Sequence, residues 1–277
     1  MSMQHHMKKI SVWTIVAVFT IAAVVLALHF FSMDQPAAEV DSVFTEDTSD
    51  FEKAEHYFSS EYYDLEKARH YYTASIRANP TANSLQWYQL ARIDFIQGDF
   101  ESALHNLDKQ YEYFGEEVPN INYTYGLVYG FRADLLNREQ DFRLAEKHFL
   151  KFLEYMPDSQ WARVDLSWIY FSLRDFPSMI AILQPVYDEQ QDNPWVLNMY
   201  GLALLNTGQT AEAVEHLTRA NELVGGVTAQ EWGDVYPGNS PADWEVGVAE
   251  FRSAVGLNLE LAQKRLQESG DNSENDV

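Results

Sequence analysis

The chain has 277 residues, 46% of them hydrophobic and 14% aromatic, enough apolar side chain for one elongated helical array and a membrane segment besides. Its formal net charge of −23 opposes binding to nucleic acid and anionic headgroups. There is no cysteine, which excludes a disulfide framework, a thiolate metal site and a cysteine nucleophile.

Residues 1–9 are a short head carrying Lys8 and Lys9. The next stretch, 10–31, ISVWTIVAVFTIAAVVLALHFF, has no charge in 22 residues. A helix rising ~1.5 Å per residue crosses the ~30 Å core of a bilayer over such a length. Trp13 and His29 then stand near its two interfaces. A cleaved secretory signal has an apolar region of ~7–15 residues followed by small residues at the cleavage site, and 36–38, PAA, is only a weak version of that. The expectation is a single uncleaved transmembrane helix. Lys8 and Lys9 precede it and acidic residues follow, so the positive-inside rule places the N-terminus in the cytoplasm and the remainder in the periplasm or outside the cell. That remainder holds all 42 acidic residues against 17 of the 19 Lys and Arg, a balance of −25, which suits solubility, a basic partner or high salt alike.

Residues 32–50, with Pro36, small polar residues and acids, read as a flexible acidic linker. From 51 to 225 the apolar pattern repeats. Its clearest copy is 193–226, where Trp195, Leu197, Tyr200, Gly201 and Leu204 recur at helical spacing. Thr207-Gly208-Gln209 interrupts that pattern, and a second periodic run follows through Ala213, Leu217 and Ala220 to Gly225-Gly226. Sliding this unit upstream finds its partner positions at 68, 103, 145 and 179, with gaps of 35, 42, 34 and 34 up to 213. The long gap coincides with GEEVPN at 115–120 and is expected to be an enlarged turn. Five antiparallel helix pairs follow, at 51–62 and 64–78, 84–97 and 100–114, 121–138 and 142–156, 159–172 and 176–190, and 194–206 and 210–224. Pro185 predicts a kink or early end in the eighth helix. Residues 226–268 are expected to be a loop followed by a helix capping the apolar end of the array, and 269–277 a disordered acidic tail.

Small residues where two helices touch, bulky ones between them and a period near 34 together resemble the tetratricopeptide repeat (TPR) family. The resemblance implies an all-α solenoid of about five helix pairs, and a binding surface along the first helix of each pair. The offsets that face the groove in that family fall on Tyr57; on Leu85, Tyr88, Arg92 and Phe95; on Leu127, Asp134 and Arg138; on Trp161, Val164, Trp168 and Phe171; and on Trp195, Asn198, Leu202 and Asn206. Trp168 and Phe171 are expected to face solvent as anchors for a partner, while Trp161 and Trp195, near helix starts, could equally pack between repeats. The Lys/Asn/Arg set with which some members clamp a C-terminal carboxylate is not present, because Arg92, Arg138 and Asn198 are isolated.

Nothing in the chain announces catalysis. It has no phosphate-cradling glycine loop, no G-x-S-x-G elbow, no H-E-x-x-H and no D-x-D-x-D-G calcium loop. His70, His105, His148 and His216 recur at nearly one offset of the second helices, and packing distances of ~10 Å between repeats are too long for shared metal ligation. The reading is a non-catalytic, membrane-anchored interaction scaffold without cofactor or metal, gripping a basic or aromatic/apolar protein segment. The alternative is an accessory subunit of an envelope enzyme or of a secretion or assembly complex.

Overall fold

The computed structural model describes residues 44–115, 120–236 and 238–274. The head, the apolar run 10–31, most of the linker and the last three residues of the tail lie outside them. Among the described residues no helix is long and apolar enough to cross a membrane. All regular structure among them is helical: α1 (Asp50–Phe58), α2 (Leu65–Ala78), α3 (Gln86–Ile96), α4 (Phe100–Phe114), α5 (Ile121–Leu136), α6 (Glu139–Tyr155), α7 (Gln160–Ser172), α8 (Phe176–Glu189), α9 (Pro194–Asn206), α10 (Thr210–Val224), α11 (Ala229–Val235) and α12 (Trp244–Glu274), with a 3₁₀ turn at Pro241–Asp243. The five expected helix pairs are therefore present.

Local chemistry sets the helix ends. The second helices α2, α4 and α8 each begin behind an aspartate, where Asp64, Asp99 and Asp175 accept a hydrogen bond from a first-turn backbone N–H. Ser49 and Glu52 form a reciprocal capping box ahead of α1. Four of the five hairpin turns use one left-handed residue: Gly98 at φ 75°, Gly208 at φ 86°, Asn137 and Arg174. Pro185 does not end α8, which runs four residues further to Glu189.

The residues divide into two compact units. The N-terminal unit holds the hairpins α1/α2, α3/α4 and α5/α6 together with 233–244. Its core contains Ala54, Ala68, Tyr72 and Ile93, and, one hairpin on, Ala91, Ala103, Leu107, Ile121 and Val128. The C-terminal unit runs from Arg163 to Trp232 and resumes at Glu245. Within it the 34-residue register continues past the fifth pair, because Gly247, Phe251 and Ala254 stand 34 positions after Ala213, Leu217 and Ala220 and are likewise buried. The helix expected within 226–268 starts at Trp244 and continues to Glu274, into the stretch expected to be a disordered tail.

Candidate interaction surface

Two hairpins interlock through four equivalent positions. A Cβ at Gly126 would lie 2.8 Å from the ring of Phe149, and one at Gly201 would lie 2.7 Å from Cγ of Leu217. The tyrosine before each glycine packs on the histidine before each large apolar residue: Tyr125 stacks on His148 at 4.6 Å, and Tyr200 meets His216 at 5.4 Å. The recurring histidines at 148 and 216 are thus hairpin-packing residues. Burial, with Lys147 and Lys151 nearby, pushes the imidazole of His148 down to about 4 and keeps it neutral, and its Nδ1 lies 3.0 Å from Asn122 Oδ1.

This interlock also measures the third hairpin against the fifth. Gly126 precedes Phe149 by 23 residues, whereas Gly201 precedes Leu217 by 16. The α5/α6 hairpin is therefore seven residues, about two turns at ~3.6 residues each, longer than α9/α10, while the turn expected at 115–120 lies mostly outside the described residues. Arg138, placed by its offset on the first helix, accordingly leaves that helix. It occupies the N-cap position of α6 with its side chain 54% exposed, 4.0 Å from Asp141. Asp134 lies in the added turns of α5, half-buried, and burial alone pushes its carboxyl up to about 6 from an ordinary 3.8.

An unfolded chain releases the Asp134 proton near 4 and the folded chain near 6, so its favourable contribution is complete below pH ~4 and is lost as pH rises through ~6. A shift of this size has a ceiling of ~3 kcal/mol. Solvent access at a half-buried site reduces that to ~1 kcal/mol. Asp134→Asn is expected to raise the melting temperature at pH 7.5 and to leave it unchanged at pH 4; equal curves at pH 7.5 would contradict the burial argument.

In the N-terminal unit the first-helix residues are already engaged. Tyr57 is only 3% exposed: it stacks on Tyr71 at 5.9 Å, Lys67 sits over its ring, and Phe44 covers it edge-on at 5.8 Å. Tyr88 accepts a hydrogen bond from Thr124 Oγ1, and Phe95 meets Phe131 edge-on at 5.2 Å, so both tie α3 to α5. Arg92 lies over Phe58 at 4.8 Å and donates to Gln89, which donates in turn to Glu55. The segment around Gly238 rests on this place. Tyr63 donates its hydroxyl to the Gly238 carbonyl at 2.7 Å, and a Cβ at Gly238 would come within 2.9 Å of Ile96 and 3.4 Å of Arg92. Leu85 remains exposed and Leu127 half-buried. Trp161, at the start of α7, is half-buried.

In the C-terminal unit Val164 and Trp168 are half-buried, but Phe171 is not solvent-facing. It is 6% exposed, with its ring edge-on to Phe176 at 6.0 Å. The anchor pair expected there is therefore split. Trp195 stacks on Phe251 of α12 at 4.7 Å, and buried Asn198 accepts a hydrogen bond from Asn258 Nδ2 at 2.9 Å. Leu202 is fully buried, and Asn206 donates to the Leu202 carbonyl. Sequence reasoning missed Phe251 and Asn258 as partners of the first-helix face. The signal was in α9 itself: PWVLNMYGLALLN has no charged residue, and a helix without a polar stripe is covered on all sides.

A sequence model of the tetratricopeptide repeat matches residues 196–223, the α9/α10 hairpin. No curated protein matches the chain. Among solved structures, PilW, described as a widely conserved type IV pilus biogenesis factor, is 15% identical with a TM-score of 0.52 over 82% of this chain and 100% of its own. A tetratricopeptide repeat protein from Parabacteroides merdae is 15% identical with a TM-score of 0.50 over 81% of this chain and 87% of its own. YrrB, described as a TPR protein with an unusual peptide-binding site, is 18% identical with a TM-score of 0.46 over 69% and 97%. Identities this low speak to fold alone. The α9/α10 hairpin thus matches the tetratricopeptide repeat in sequence, and the five hairpins share the all-helical fold of tetratricopeptide repeat proteins.

Proposed function

We propose that this chain is a membrane-tethered, non-catalytic scaffold that binds a segment of another protein through the first-helix side of its hairpins, on the extracytoplasmic side of a membrane. The observation that carries the reading is what that side leaves accessible: Leu85 is exposed and Arg92, Leu127, Trp161 and Trp168 are half-buried, where a face meeting only water would carry small polar groups. Aromatic side chains offer large contact area at little rotamer cost, and arginine adds cation–π and bidentate contacts. The tether rests on the 22 uncharged residues after Lys8 and Lys9, and the surplus of acid beyond them favours a basic segment as partner.

The test is purification of the tagged full-length chain from detergent-solubilised membranes after crosslinking. Recovery of one or more protein clients, weakened by Trp168→Ala, supports the scaffold. A single stoichiometric enzyme whose activity needs this chain would replace it with the accessory-subunit reading. Topology is checked separately. Protease added to intact cells, with any outer membrane permeabilised, is expected to digest the repeats, and full protection would reject the proposed orientation.

A further inference from the structure

The face of α9 that would receive a ligand holds part of the chain's own last helix. Val248, Phe251, Val255, Asn258 and Ala262 recur along α12 at steps of three and four residues, and all five are buried. Phe251 stacks on Trp195, and Asn258 pairs with Asn198 while itself only 1% exposed. Arg252 donates to the carbonyls of Val224, Gly225 and Val227, which satisfies acceptors at the end of α10. Anchors at i, i+3, i+4 and i+7 against an apolar surface are the signature of a helix lying in a groove. A buried amide pair in such a contact costs stability relative to apolar packing and selects one register.

We propose that the Trp195/Asn198 face of α9 is a helix-binding site, whose ligand class is an amphipathic helix with an aromatic residue followed seven positions later by asparagine or glutamine, and that α12 fills it in cis. This rests on the reading of the first-helix side as the docking surface. Three features separate a resident ligand from a permanent cap. The contact is centred on a polar pair and not on leucines. The helix follows residues that are non-helical at 236 and at 238–240. It also keeps a second apolar surface outside the contact, with Leu257 and Leu266 exposed. A covalently attached ligand has an effective concentration in the millimolar range, so an external helix gains access only when the internal one is weakened or outcompeted.

The probe is a fluorescent synthetic peptide of residues 244–268, titrated against the full chain in detergent. The parent chain is expected to show no saturable binding below ~100 μM. Phe251→Asp, which removes the stack and sets a charge against Trp195, is expected to free the site and bind the peptide at least ~100-fold more tightly. Arg252→Ala, which leaves the apolar stripe whole, is expected to fall between the two. Replacing the peptide's Asn258 by leucine should weaken binding by tenfold or more, because Asn198 is then buried without its partner. Three results overturn the proposal: loss of cooperative melting in Phe251→Asp, which would make α12 part of the fold; a folded Phe251→Asp chain that does not bind; or equal binding of the peptide and its Phe251→Asp version. Client capture reads an outside protein and this titration reads the chain's own helix, so either reading can fail without the other.

Discussion

Gly126→Leu is expected to be among the most damaging single changes in the chain, lowering stability by ~3 kcal/mol, the upper end for overpacking. Three atoms of the Phe149 ring stand 2.8 Å from where even a Cβ would be placed, and that ring is fully buried. It is also held edge-on by Tyr123 at 5.6 Å, so it has little room to swing aside. Gly201→Leu should cost less. The atoms it meets belong to the flexible aliphatic Leu217, at 2.7 and 3.0 Å, with the Ala213 carbonyl at 3.4 Å. For a chain of this length each kcal/mol moves the melting temperature by ~2–4 °C, so the Gly126 change is expected to lower it by ~6–12 °C. Adding Phe149→Leu should restore part of the loss, because the two positions share one space and their effects are not additive. A Gly126→Leu chain that melts like the parent, or a double variant worse than the sum of the two, would refute the interlock and with it the seven-residue difference between the two hairpins.

That interlock shows what could be read in the sequence and what could not. Hairpin number, period and most helix ends followed from apolar spacing and from the turn residues that interrupt it, because those signals are local. The length of the third hairpin did not follow. Counting from Ala103 to Ala145 gives a total of 42 and cannot say on which side of α5 the surplus lies. Comparing Tyr125-Gly126 and His148-Phe149 with Tyr200-Gly201 and His216-Leu217 shows α5/α6 to be the longer hairpin, and moves Arg138 from the first-helix face to the start of α6. The fate of the expected binding face was legible only indirectly, since covering Trp195 and Asn198 is a long-range act of residues some sixty positions away. The charge-free α9 and the register continuing to Gly247, Phe251 and Ala254 were both visible in the sequence as signs of it. Phe44 over Tyr57 had no such sign, because a lone aromatic in an acidic linker reads as solvated chain.

Phe171→Ala is expected to cost ~3–5 kcal/mol, the range for removing a buried aromatic ring. Its position one turn after Trp168 suggests a second anchor on one exposed face, but the observed packing assigns the two residues different work. Phe171 lies in the last turn of α7, where the chain reverses into α8 through Arg174 at φ 58°, and its ring closes that turn against Phe176. Removing the ring leaves a cavity between two helices joined by a short turn, and neither can close it without disturbing the backbone bonds from Arg174 N–H to the Phe171 carbonyl and from Asp175 N–H to the Tyr170 carbonyl. Trp168, half-buried, loses less burial on truncation, so Trp168→Ala should destabilise by clearly less than Phe171→Ala. Urea titration of the two variants measures this directly. The midpoint should fall furthest for Phe171→Ala with the slope unchanged, as expected when stability alone is altered. If Phe171→Ala unfolds at the parent midpoint while Trp168→Ala does not, the ring of Phe171 faces outward and Trp168 holds the hairpin. The roles of the two residues would then be exchanged.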